Sequence, residues 1–208
     1  MMLYLSVNMI VDIAFNFVGG IVFLFIFWKK LKEDYLSNQI FSSAFLIIIG
    51  IFLFNIISRF YFPFWWFWLS FIGFFLGLGI VILKFGLRVY ETVEAGLVSI
   101  LPWMSFVYLA DSVRNTSWIS LVGFVFTAGI LVLYLFLNAR YKDFSWYKSG
   151  RVGFAGLTAF GIYFLIRGLI AIFFPFVLSF VGDYEPILSG IVSFTFFLLV
   201  FNLSRKSL

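Results

Sequence analysis

The sequence predicts an all-α, polytopic transmembrane bundle of about seven spans, and three observations carry that prediction. Of its 208 residues, 64% are hydrophobic, 24% aromatic and only 11% charged. A soluble domain carries about 25% charged residues and covers its outside with them, so the outside of this chain must meet lipid. The apolar residues also come in long solid runs, not in the short alternating segments of a membrane β-barrel. Finally, Lys and Arg collect in alternate turns between the runs, as the positive-inside rule requires of an odd number of spans.

The spans are expected at roughly 8–28, 40–61, 64–85, 93–110, 117–138, 152–176 and 186–203, in one integral membrane domain covering 1–208. The first run lacks a charged n-region and a small-residue cleavage site and is read as a retained helix. The fourth is the weakest, being short and holding Pro102. Lys29, Lys30 and Lys32 follow span 1, Lys84 and Arg88 follow span 3, Arg140, Lys142, Lys148 and Arg151 follow span 5, and Arg205 and Lys206 follow span 7. Only Arg59, Arg114 and Arg167 fall elsewhere among the 14 basic residues. The N-terminus is therefore expected outside and the C-terminus in the cytoplasm of a multi-pass protein.

There is no cysteine and no histidine. Disulfides, thiol nucleophiles, imidazole bases and most zinc or transition-metal sites are thereby removed, and neither a metal nor a cofactor is expected. The net charge of +5 is explained by membrane topology, so nucleic acid is not an expected partner.

One charge interrupts the run Val152–Val181, and it is Arg167. A charge at the bilayer centre costs at least about 2.5–3.5 kcal/mol, so it faces the bundle interior, a water-filled cavity or an anion. Tyr163 precedes it by one turn and shares its face. Counted from Arg151 at about 1.5 Å per residue, Arg167 lies about 24 Å along the span, in the outer half of a core about 30 Å thick. Arg59 arrives at the outer boundary by the same arithmetic. Two readings stand for Arg167, a ligand for phosphate or carboxylate and a structural ion pair; for Arg59, a phosphate ligand and a headgroup-anchored helix end. Gly73 and Gly77 form a GxxxG pair suited to helix packing or to a lipid headgroup. Trp65, Trp66 and Trp68 are expected in an outer aromatic belt. Glu91 and Glu94 suit the start of span 4 electrostatically. Asp111 and Arg114 are read as an exposed pair, and Asp183 and Glu185 as a solvated loop.

Three segments together resemble a known family. ISRFYF, with Arg59 and Tyr61, is similar to the G-R-L-x-Y segment of the prolipoprotein diacylglyceryl transferases. LSFIGFFLG is similar to their M-S-F-H-G-G-L-I-G segment, and GLTAFGIYFLIR, with Tyr163 and Arg167, to their Y-G-x-x-R segment. The family has seven spans and an outside N-terminus in the bacterial inner membrane. It moves diacylglyceryl from phosphatidylglycerol to the thiol of a lipobox cysteine on a prolipoprotein signal peptide.

The resemblance implies that Arg59, Arg114, Arg167, Gly73 and Gly77 hold the phospholipid phosphate, with Tyr163 and Arg167 as catalytic residues. The sequence departs from the family where its histidine falls at Ile72, its second glycine at Phe74 and a late glutamate at Ala171. The family's arginine before span 5 falls at Ser112, with Arg114 displaced by two. Expulsion of a phosphate needs cations where charge builds, and a thiol nucleophile needs a base. The cations are present, whereas the candidate bases are Tyr163, Asp111 or a water. The expectations are thus an active transferase or an inactive relative that binds phosphatidylglycerol, another anionic lipid or a membrane partner. A small unrelated transporter is the third.

Overall fold

The computed structural model describes residues 2–144, 147 and 152–205. Lys148, Arg151 and Lys206, used above to orient the chain, lie outside the described residues. Among the described residues seven α-helices follow one another: α1 (Met2–Leu31), α2 (Ser37–Tyr61), α3 (Trp66–Phe85), α4 (Val89–Asn115), α5 (Trp118–Arg140), α6 (Phe154–Phe173) and α7 (Glu185–Arg205). All seven are long and apolar enough to cross a membrane. The protein is a seven-helix transmembrane bundle with large apolar side chains such as Phe17, Phe52, Leu83 and Phe194 turned outward.

The chain is punctuated where backbone chemistry demands it. Pro63 opens a single 3-10 turn between α2 and α3, since proline cannot continue the helix. Gly86, with φ +64°, ends α3 in the left-handed conformation that glycine adopts without steric cost. Ser117 caps α5 by accepting from the Ser120 N–H, which satisfies an amide that has no partner within the helix.

Helices α2 and α3 pack backbone to backbone. A Cβ on Gly50 would stand 2.6 Å from the Gly73 carbonyl oxygen, and one on Gly77 would stand 2.8 Å from Ile47 Cα. These glycines exist so that two helices can approach closely, the main source of association energy where lipid removes the hydrophobic drive.

The fourth span differs most from its expectation. It runs to 27 residues as a continuous helix through Pro102. Its best window has the lowest mean hydropathy of the seven, 1.5, yet the highest burial, 61%. The two facts have one cause. Helix α4 packs against α1, α3, α5 and α6, so protein and not lipid surrounds it. It can therefore carry Thr92, Glu94, Ser99, Ser105, Tyr108 and Asp111 as buried polar groups.

The two ends of the bundle differ in charge. At one end Lys30 pairs with Glu94 at 3.5 Å and reaches Asn138. Glu94 also accepts from the Tyr134 hydroxyl at 3.2 Å and from the Gly153 amide. This buried carboxylate ties α1, α4, α5 and the start of α6 together, a role the electrostatics of a helix start did not foretell. The other end carries the candidate site.

Candidate functional site

Helix α6 buries Phe160, Tyr163, Phe164 and Arg167 along one stripe. Phe164 sits among Phe67, Trp68 and Phe71 of α3 and Phe196 of α7. That aromatic packing fixes α6 and delivers Arg167 to the far end of the bundle with only 2% of its surface exposed.

The guanidinium lies 3.8 Å from the Phe67 ring centroid and 4.7 Å from that of Phe180. Stacking of this kind suits the weakly hydrated planar cation. Its edge is filled as well. Nε donates to Glu185 Oε1 at 2.5 Å, Nη1 to Ser179 Oγ at 2.7 Å and to the Tyr108 hydroxyl at 3.3 Å, and Nη2 to the Ser179 carbonyl at 2.5 Å. All three guanidinium nitrogens thus donate to partners within the protein.

Glu185 is fully buried, which corrects the expectation of a solvated loop; only Asp183 of that pair is exposed. Besides Arg167, the Glu185 carboxylate accepts from Ser189 Oγ at 2.7 Å, from Trp68 Nε1 at 2.9 Å and from the Val181 amide at 3.3 Å. It also opens the first turn of α7, where the helix dipole favours an anion. Trp68 is therefore a buried donor and not part of an outer belt, because the carboxylate pulls its indole N–H inward. Of the two readings left open for Arg167, the structure shows the ion pair, with Glu185 as counter-ion.

Tyr163, 1% exposed, is stacked on Phe126 with ring centroids 5.8 Å apart. Its hydroxyl lies beside Tyr108 and Arg167 but has no hydrogen-bond partner among the described residues. An orphaned buried hydroxyl is costly, so its surroundings need explaining. Against it stands a cavity of about 320 Å³ between α4, α5, α6 and the segment 174–180. Tyr108, Tyr163 and Arg167 form its polar wall, and among the described residues no carboxylate lines it. Trp118, Ile119, Val122 and Phe174 form its outer rim and are 50–78% exposed. The opening is therefore lateral, through the lipid-facing surface.

The structure brings Tyr163 and Arg167 together as the one-turn spacing required. It does not join the other sequence-derived candidates to them. Arg59 is exposed on the last turn of α2. Arg114 pairs with Asp12 at 2.9 Å and with Asp111 at 3.7 Å. Asp111 is not half of an exposed pair, being 7% exposed and hydrogen-bonded to Asn115 and Ser120. Gly73 and Gly77 face α2, where no ligand fits between the backbones. Ile72 is 46% exposed on the lipid-facing side of α3.

Tyr108 and Ser179, which the sequence did not single out, complete the cluster with Trp68 and Glu185, which it had placed in a belt and a loop. One signal pointed to Glu185. A buried arginine calls for an acid, and Asp12, Asp111, Asp183 and Glu185 are the acids near that end of the chain's spans.

The fold and the cluster define a class: a seven-helix membrane protein with a neutralised Arg–Glu pair beside a lateral apolar cavity. Comparison with protein-family models, with curated proteins and with solved structures finds no match for this chain.

Proposed function

We propose that this protein binds a membrane lipid in the lateral cavity, with its chains along the apolar wall and its polar end toward Tyr163. The observation that supports this reading is the buried, unpartnered Tyr163 hydroxyl at the inner end of an apolar chamber open on the lipid-facing side. The arrangement of Lys and Arg favours an outside N-terminus and a cytoplasmic C-terminus, in a bacterial-type inner membrane. In that orientation the cavity opens to the outer leaflet. Native mass spectrometry of the purified protein tests the reading: a retained lipid lost on Val122→Trp, which plugs the rim, is the expected result. No lipid retained by the wild type refutes it.

The family resemblance supports a second reading, transfer of diacylglyceryl from phosphatidylglycerol to a lipobox thiol, because Tyr163 and Arg167 share the cavity wall. The missing element is a base. Among the described residues the cavity presents no carboxylate, and Glu185 is engaged by four donors, about the full capacity of a carboxylate. Reconstitution with phosphatidylglycerol and a lipobox peptide separates the readings. A thioether-linked diacylglyceryl adduct detected by mass spectrometry establishes the transferase; lipid binding without adduct establishes the binder.

A further inference from the structure

The charge balance of the cavity identifies the kind of lipid it takes, and this step rests on the lipid-binding reading above. An arginine in an apolar wall suggests a phosphate. Here, however, Glu185 already neutralises it, at 2.5 Å and with no exposure to solvent. The Arg–Glu unit is net neutral, and among the described residues no other ionisable side chain besides the two phenols of Tyr108 and Tyr163 lines the cavity. A phosphate entering would add one uncompensated negative charge to a low-dielectric chamber, which is costly even beside good donors.

What the wall offers instead is hydrogen-bond donation without net charge. The Tyr163 O–H has no partner among the described residues, at the inner wall of the cavity. The Tyr108 hydroxyl is engaged with Ser179 Oγ at 2.6 Å and with Arg167. One unpartnered donor at the inner wall of an aliphatic and aromatic chamber matches an ester carbonyl that carries hydrocarbon chains. We propose that the cavity selects an uncharged ester lipid, of the diacylglycerol type, over an anionic phospholipid with the same chains.

The test uses the whole protein in phosphatidylethanolamine vesicles with two photoreactive probes of identical chains, diacylglycerol and phosphatidylglycerol. Cross-linked peptides are mapped by mass spectrometry. The expected result is diacylglycerol labelling of the segments 118–126 and 163–180, displaced by unlabelled diacylglycerol and not by phosphatidylglycerol. Val122→Trp should abolish it. Tyr163→Phe should weaken it about two- to tenfold, the effect of one hydrogen bond.

Glu185→Gln supplies the charge control. It exposes the arginine charge and should shift labelling toward phosphatidylglycerol in whatever fraction folds. Stronger wild-type labelling of the cavity by phosphatidylglycerol overturns the selectivity while leaving lipid binding intact. Labelling by neither probe above the level of the Val122→Trp variant overturns both.

Discussion

Replacing Arg167 with methionine leaves the Glu185 carboxylate buried with its charge unpaired. The loss has three parts. Four hydrogen bonds from the guanidinium disappear, at 2.5, 2.7, 3.3 and 2.5 Å. Stacking on Phe67 goes as well, worth about 0.5–2 kcal/mol. The remaining charge must then be protonated or hydrated in place. Removing one partner of a buried pair costs about 3–5 kcal/mol, and Glu185→Leu should cost about the same from the opposite side.

The combination Arg167→Met with Glu185→Leu should not cost the sum. No buried charge remains at this site, but Trp68 Nε1, Ser189 Oγ, the Val181 amide and the Ser179 carbonyl are left without these partners, at about 1–3 kcal/mol for each that finds no substitute. The cycle should therefore show coupling of about 2–3 kcal/mol, near the upper end of measured pairs. Unfolding in mixed micelles by titration with a denaturing detergent, followed by tryptophan fluorescence, reads all four proteins. Single variants that lose less than about 1 kcal/mol, or coupling under about 0.5 kcal/mol, would show that the pair is solvated and would remove the basis for a charge-neutral cavity.

Three further outcomes are expected. Gly73→Ala should destabilise the bundle by about 1–3 kcal/mol, because its Cβ meets the backbone of α2, whereas Gly79→Ala, with open space around it, should be neutral or slightly stabilising; equal effects in the same unfolding assay would refute the packing role. Glu94→Ala should cost about 1–3 kcal/mol by leaving the Gly153 amide and the Tyr134 hydroxyl unpaired, with greater proteolysis of the connection before α6; unchanged stability and cleavage would refute it. The absence of cysteine makes single-cysteine labelling clean: Asp183→Cys should react with an impermeant maleimide from outside intact cells and Lys142→Cys only after permeabilisation, and the reverse pattern would invert the assigned topology.

The fold was readable because the bilayer imposes it. Backbone groups in lipid must be satisfied within the segment, so long apolar runs could only be helices. The helix least legible, α4, was the one that lipid surrounds least. Hydropathy measures fitness for hydrocarbon, and a helix enclosed by four others is released from that demand. Its lower score was therefore evidence of a central position and not of a weak span.

The site was half legible for a related reason. Arg167 and Tyr163 are one turn apart on one helix, so periodicity alone joined them. Their partners come from α3, α4, the segment after α6 and the first turn of α7, and no local pattern encodes contacts of that kind. Glu185 was obscured by its position: beside Asp183 and Pro186 it has the composition of a loop. Electroneutrality is the constraint that reaches across such distances. An arginine held in hydrocarbon requires an anion, and the choice is whether a ligand or the chain itself supplies it. In this bundle the chain supplies it through Glu185, and the proposal of an uncharged ligand follows from that neutral pair and not from the arginine alone.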